Sequence, residues 1–271
     1  EVRVKGADAT AYVKYVFTNN IDSINEGGVI NGFLLNEEGG VIDDLLIYKV
    51  NNEEYLFVVN ASNVDKDFEW LKKQGEEFDV VVENESDDFA EIALQGPNGE
   101  DGFEIYGQDK AIVKIWKTLI EKGVTPAGLG CRDTLRFEAA LPLYGNELDD
   151  QHTPVESGFG FFVDKEGEFI GSDVVKKQRG EGVPTKIIGL ELVDKGVIRQ
   201  GYPVFNEDQK QVGEITTGYS SPTLGKVIAN ARIDSEYGDQ KTFLVGMRKK
   251  CPAPGSHRSK RYGSVRKQLC P

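Results

Sequence analysis

The chain has 271 residues, 39% hydrophobic and 10% aromatic, with 32 basic against 45 acidic side chains and a net charge of −13. The acidic surplus excludes a nucleic-acid binder working by bulk attraction to phosphate, and the apolar content excludes a wholly disordered chain. No apolar run approaches the roughly 18 residues of a membrane helix, so no membrane partner is expected, and the length suits about two domains.

Taken in chain order, Val2 and Val4 alternate with charged residues and predict a strand. Residues 8–18 predict a helix with Ala11, Tyr12, Tyr15 and Val16 on one stripe. Val29 to Leu35 and Val41 to Val50 read as two strands joined by the turn Asn36-Glu37-Glu38-Gly39-Gly40. Tyr55 to Val59 is another strand. Ser62, with Asp65 three residues on, predicts a capped helix whose Val64, Phe68 and Leu71 fall at i, i+4 and i+7. Val80 to Val82 and Phe89 to Leu94 are further strands, and Asn98-Gly99 reads as a tight hairpin turn leading into Gly102 to Tyr106. Ile112, Trp116, Leu119 and Ile120 share one helical face that Gly123 ends. Gly130 to Leu141 is a second helix, residues 145–160 an acidic loop, and Asp173 to Gln178 a short helix.

The stretch Gly180-Glu181-Gly182-Val183-Pro184 is the best linker signal. Beyond it Ile187 to Leu192, Tyr202 to Phe205, Gln211 to Thr217 and Lys226 to Ile233 are evenly spaced short strands, which suggests a small sandwich or barrel. Residues 247–271 carry eight Lys and Arg and no acid, with three prolines and no periodicity, and are expected to be disordered. Without that tail, 24 bases face 45 acids.

Familiar catalytic machinery is scarce. The only histidines are His152 and His257, and no G-x-S-x-G elbow accompanies them. Cys131, Cys251 and Cys270 form an odd set with no paired zinc-ligand spacing. No metal site is expected, and a reducing cytoplasm is the simplest setting. What remains is a set of carboxylates and one awkward arginine. Asp43 and Asp44 interrupt an apolar strand, and alternation sends them to opposite faces. An inward carboxylate there must be hydrogen-bonded or neutralised, unless both are wet at a sheet edge. Arg132 falls in the first turn of a predicted helix, where the dipole disfavours a cation; it should answer a carboxylate of the protein or of a ligand. Glu104 lies on the strand face opposite Phe103 and Ile105, so it is either a solvated side chain or a functional one.

These residues lie in longer runs that resemble the T-protein of the glycine cleavage system, an aminomethyltransferase family. The runs are Leu35 to Leu45, Val58 to Asn63, Gly99 to Ile105, Pro126 to Arg136 and Leu143 to Asp149, then Gly201 to Phe205 and Ser221 to Lys226. The resemblance covers residues 1 to about 235. It implies an α+β fold with mixed or antiparallel sheets and helices in a folate-binding part, residues 1–180, followed by a small C-terminal β-barrel, residues 185–246.

The activity implied is transfer of a one-carbon unit from the aminomethyl-lipoyl arm of H-protein to tetrahydrofolate, with release of ammonia. By the same resemblance Asp44 is the central acid beside the reacting folate nitrogens. Glu104 holds the pterin, and Asn60 and Arg132 belong to the folate pocket. The partners implied are lipoylated H-protein and folate. Four departures stand against the pattern: family residues absent before Glu1, a family segment absent between Gln95-Gly96-Pro97 and Gly99, Asn31 in place of a pocket aromatic, and an atypical ending after about residue 240. They leave open a non-enzymatic folate-binding relative, or a truncated chain without activity.

Overall fold

The computed structural model describes residues 1–96, 102–247 and 261–268. Two compact units divide the chain: residues 1–135 with 162–174, and residues 136–161 with 175–271. The turn expected at Asn98-Gly99 lies outside the described residues.

In the first unit, β1 (Val2–Lys5) leads into α1 (Ala9–Val16), then β2 (Val29–Leu35), β3 (Val41–Asn51) and β4 (Glu54–Val58). Next come α2 (Val64–Gln74), β5 (Val81–Asn84), β6 (Ala90–Gln95), β7 (Gly102–Gly107) and α3 (Asp109–Glu121). Five strands form one antiparallel sheet in the order β2-β3-β4-β1-β5, and β6 pairs with β7 in a separate two-stranded sheet. The expected strand pair on either side of Asn98-Gly99 therefore exists, in a register that sets Ala93 opposite Glu104.

Period-two alternation decides what each face of the five-stranded sheet carries. Val2, Val4, Leu45, Ile47, Tyr55 and Phe57 point to the side covered by α1 and α2, where they form the unit's core. Helix α1 buries Ala9, Tyr12, Val13 and Val16, at i, i+3, i+4 and i+7. The stripe is rotated from the expected one, because Tyr15 turns outward. The Tyr12 hydroxyl donates to the Leu71 carbonyl at 2.6 Å and ties α1 to α2 beneath the sheet. Gly32 lies on this side too: a Cβ there would come within 2.5 Å of the Phe17 ring, so only glycine lets the ring rest on the strand. In the β2–β3 turn, Gly39 takes φ +82, a conformation costly for other residues, and its N–H bonds the Asn36 carbonyl.

Helix α2 begins at Val64, with Asn63 before it, so Ser62 is not its cap. The Asn63 side chain makes no capping bond; it reaches Asp43 instead. Helix α4 (Leu129–Glu138) ends three residues short of the expected Leu141, where the chain turns at Ala140, φ 56.

In the second unit α5 (Ser172–Glu181) takes up Gly180 and Glu181 from the expected linker. There follow β8 (Thr185–Leu192), β9 (Pro203–Phe205), β10 (Gln211–Ser220), β11 (Val227–Asp234), β12 (Thr242–Met247) and β13 (Arg261–Gln268). They close into an antiparallel barrel, β10-β11-β8-β13-β12-β9, with β9 returning to β10. The basic tail is thus not without structure throughout: β13 comes from it, filling the gap between β8 and β12. Alternation explains this, since Gly263 and Val265 turn inward while Ser264 and Arg266 turn to solvent. The acidic loop 145–160 is fastened to the barrel by Glu147. Its buried carboxylate receives Arg136 at 3.1 Å and the Thr216 hydroxyl at 2.8 Å, and its carbonyl receives Arg232 at 2.7 Å.

Val265 packs inside the barrel opposite Phe243 and Leu192. Val265→Asp would bury an unpaired charge, so it should lower the unfolding free energy by at least about 3 kcal/mol. Urea denaturation followed by circular dichroism and tyrosine fluorescence would measure this; an unchanged midpoint would mean β13 does not belong to the barrel core.

Candidate active site

The sheet face turned away from α1 and α2 carries Asp44, Leu46 and Tyr48 from β3, Val29 and Asn31 from β2, and Leu56 and Val58 from β4. None of these seven is buried, whereas Phe33, opposite Asp44 on the same face, is. Strand β3 lies between β2 and β4, so the Asp43–Asp44 pair is not at a sheet edge. Asp43 points into the helix-covered side with no exposure, and Asp44 is half-buried on the open side.

Asn60, just beyond β4, binds both acids. Its backbone N–H donates to Asp43 Oδ2 at 2.9 Å. Its side-chain amide donates to Asp43 Oδ1 at 2.8 Å and to Asp44 Oδ1 and the Asp44 carbonyl at 3.1 and 3.2 Å. Every acceptor facing that amide is an oxygen, so its NH2 group must be the end that faces them. Asn63 adds a further donor to Asp43 Oδ1 at 2.7 Å. Burial, and then the neighbouring Asp43 charge, push the Asp44 carboxyl up to about 6, while the Asn60 hydrogen bond pulls the other way.

Tyr48 and Asp44 are four residues apart on β3, about 13 Å along the strand. At the Tyr48 end the two-stranded sheet meets the five-stranded one. The Tyr48 and Tyr106 rings meet edge to face at 5.8 Å. Both hydroxyls donate to Glu104 Oε2, Tyr106 at 2.7 Å and Tyr48 at 3.4 Å. Glu104 is exposed, yet it is held in place rather than freely solvated, and Oε1 accepts nothing among the described residues. Burial and the Glu104 charge raise the Glu91 carboxyl, and Arg132 opposes them. Arg132 is exposed in the first turn of α4 and forms no ion pair among the described residues.

The structure therefore links Asp44 directly to Asn60, and sets Glu104 against the same sheet face through Tyr48. Arg132 touches neither Asp44 nor Glu104; its charge acts on Glu91. Sequence reasoning missed Tyr48, Tyr106, Asn63 and Asp67. For Tyr48 the signal was present, since positions 44, 46 and 48 must share a face. For Asp67 it was an acid on the apolar stripe of α2, between Val64 and Leu71.

This is an α+β chain with a half-open sheet face ahead of a closed six-stranded barrel. The crystal structure of glycine cleavage system aminomethyltransferase T from Bartonella henselae has the same fold, with a TM-score of 0.84 over 99% of this chain and 82% of that one at 21% identity. Residues 1–101 and 98–167 match the GCVT N-terminal domain, and residues 185–257 match the glycine cleavage T-protein C-terminal barrel domain. The chain is 42% identical to an aminomethyltransferase of Clostridium botulinum (strain Okra / Type B1) over 92% of its length and 80% of the relative's. It is 43% identical to one from Thermoanaerobacter pseudethanolicus, covering 88% of this chain and 76% of that protein.

The chain belongs to the glycine cleavage T-protein family and is an enzyme of the aminomethyltransferase class. The Clostridium alignment runs over 297 positions, more than the 271 residues available, so that relative carries residues inside the matched span that have no counterpart here. Among the described residues no helix is long and apolar enough to cross a membrane.

The raised Asp44 carboxyl has a consequence for stability. In the unfolded chain it loses its proton near 3.8, in the fold near 6. The fold therefore gains most from Asp44 below the lower value and loses that gain as pH rises to the upper one. Asp44→Asn removes the titration. The stability of wild type relative to this variant should fall by about 3 kcal/mol between the two limits. Urea unfolding of both proteins across that range checks this; a pH-independent difference would mean Asp44 titrates normally.

Proposed function

We propose that this aminomethyltransferase transfers a one-carbon unit from the aminomethylated lipoyl arm of H-protein to tetrahydrofolate on the open sheet face, with Asp44 as the reacting carboxyl. The observation that carries the reading is Asp44 itself, half-open, pinned by Asn60 on one side and raised to about 6. A carboxyl with that affinity can hold or release a proton near neutral pH, as a general acid–base requires.

In this reading the carbon leaves an amine nitrogen and a lipoyl sulfur and becomes bonded to two folate nitrogens. Two protons pass from those nitrogens to the departing ammonia and thiol. Asp44 accepts or returns such a proton. Ionised, it also stabilises the positive charge that builds where the carbon is transferred, an electrostatic role favoured by its desolvated position. Asn60 keeps the carboxylate from rotating away.

Glu104 supplies the other anchor. A pterin presents a 2-amino group and a ring N–H side by side, a two-donor edge that suits one carboxylate. Glu104 Oε1 and the remaining capacity of Oε2 can accept that pair, and the two tyrosine hydroxyls hold the carboxylate in place. Arg132 lends positive charge to the same unit. The exposed free thiol of Cys131, one of an odd set of cysteines, supports a reducing cytoplasm as the setting.

Asp44→Asn should lower kcat by about 10²- to 10⁴-fold and abolish the rise in rate as pH passes through about 6. Turnover with aminomethylated H-protein and tetrahydrofolate measures this, and equal rates in both proteins would remove Asp44 from the mechanism. Glu104→Gln should weaken tetrahydrofolate binding by roughly 10- to 100-fold, the worth of a charge-assisted hydrogen bond, read by calorimetric titration. Unchanged affinity would separate Glu104 from the pterin.

A further inference from the structure

Beneath the open face lies a carboxyl group that the proposed reaction does not use. Asp67, on the inner side of α2, has no exposure. Among the described residues neither of its oxygens receives an N–H or hydroxyl donor. The nearest cation, the Lys66 ammonium, stands 3.6 Å from Oδ1, beyond hydrogen-bonding distance, and donates instead to the Ile42 carbonyl at 2.5 Å. The group Asp67 does meet is Asp43, itself fully buried. Two carboxyls can bond to each other only if one carries a proton; two bare anions in that setting would repel. Among the described residues no group of three or more His, Cys, Asp or Glu side chains is arranged to hold a metal ion.

Of the two, Asp43 is the one with donors aimed at it. It accepts three N–H donors, from the Asn60 backbone, the Asn60 amide and the Asn63 amide. Such bonds favour the ionised form. Asp67 has none of them, and burial followed by the contact with Asp43 pushes its carboxyl up to about 9 despite the opposing charge of Lys66.

We propose that Asp67 is a positioning residue: a neutral carboxylic acid whose O–H is donated to Asp43, fixing the Asp43 carboxylate so that Asn60 stays locked against Asp44. The chain of contacts is Asp67 to Asp43, Asp43 to Asn60, and Asn60 to Asp44. It joins helix α2 to the open face through the thickness of the sheet. Asp67 touches no substrate, and the inference rests on Asp44 being the reacting carboxyl.

Two variants and one spectrum test it. Infrared difference spectroscopy of wild type against Asp67→Asn at neutral pH should show the carbonyl stretch of a protonated carboxylic acid, lost in the variant. Its absence overturns the proposal whether or not the enzyme turns over. Asp67→Asn keeps a donor toward Asp43, so kcat should fall no more than about fivefold and the acid limb of the kcat/KM profile should not move. A downward shift of that limb would mean a negative charge had been removed, and the neutral acid would be wrong. Asp67→Leu removes the donor. It should lower kcat by about 10- to 100-fold, as loss of a supporting contact does, and move the acid limb upward as Asn60 loosens its hold on Asp44. Wild-type rates in Asp67→Leu would overturn the positioning role. If that variant does not fold, the spectrum and the Asp67→Asn limb still decide. If Asp44→Asn is as active as wild type, the reading of Asp44 fails while the spectrum still reports the proton on Asp67.

Discussion

A buried carboxylate has to find donors, and much of the first unit is arranged around that requirement at Asp43. The side chain has lost all contact with solvent, a transfer that costs several kcal/mol unless hydrogen bonds replace the water. Three N–H groups do so, all from the short segment between β4 and α2. Serving Asp43 explains why Asn63 forgoes a capping bond at the head of α2, and why the chain after β4 folds back over β3. The position of Asn60, and with it the hold on Asp44, follows from the same demand.

Two adjacent acids on one strand would ordinarily be a poor use of a sheet interior. Alternation turns the liability into a division of labour, because one carboxyl faces the helices and its neighbour the open side. They remain close enough for the Asp43 charge to act on Asp44, and burial acts in the same direction. Together these outweigh the stabilising amide of Asn60, so the raised affinity wins. At the far end of the face a different device holds Glu104. Two tyrosines from separate sheets converge on one of its oxygens and fix a carboxylate that exposure alone would leave mobile. The two ends of the face thus use acids in contrasting ways, one made reluctant to ionise and one held ready as an acceptor.

Much of this could be read from the residues. The runs around Asp43-Asp44, Asn60, Glu104 and Arg132 were legible because each is short and local, and β1, β3 and β4 follow their apolar alternation. What was not legible depended on partners far apart in sequence. Ser62 offered a good local cap, but the helix starts one residue later, with Asn63 drawn off by Asp43 from twenty residues upstream. Tyr15 fitted a helical stripe that the sheet beneath α1 rotated away from. Arg132 looked like half of an ion pair, yet no described carboxylate closes on it. The basic residues of the tail hid the alternation of β13, and β12 passed unnoticed although Phe243 and Val245 alternate there.

The place of β13 also bears on how the molecule is made. It pairs with β8, with Val265 opposite Leu192, and follows every other strand among the described residues. On a ribosome that delivers the chain from its N-terminus, β8 emerges with one edge unsatisfied and keeps it so until β13 arrives. Barrel closure then joins segments far apart in sequence, with a loop-closure entropy of the kind that makes non-local β pairing slow. Over that interval β8 and β12 present open edges of the sort that recruit strands from other nascent chains. The basic residues of the closing strand, kept on its outer side at Arg266, give that late segment a charge that disfavours pairing with copies of itself.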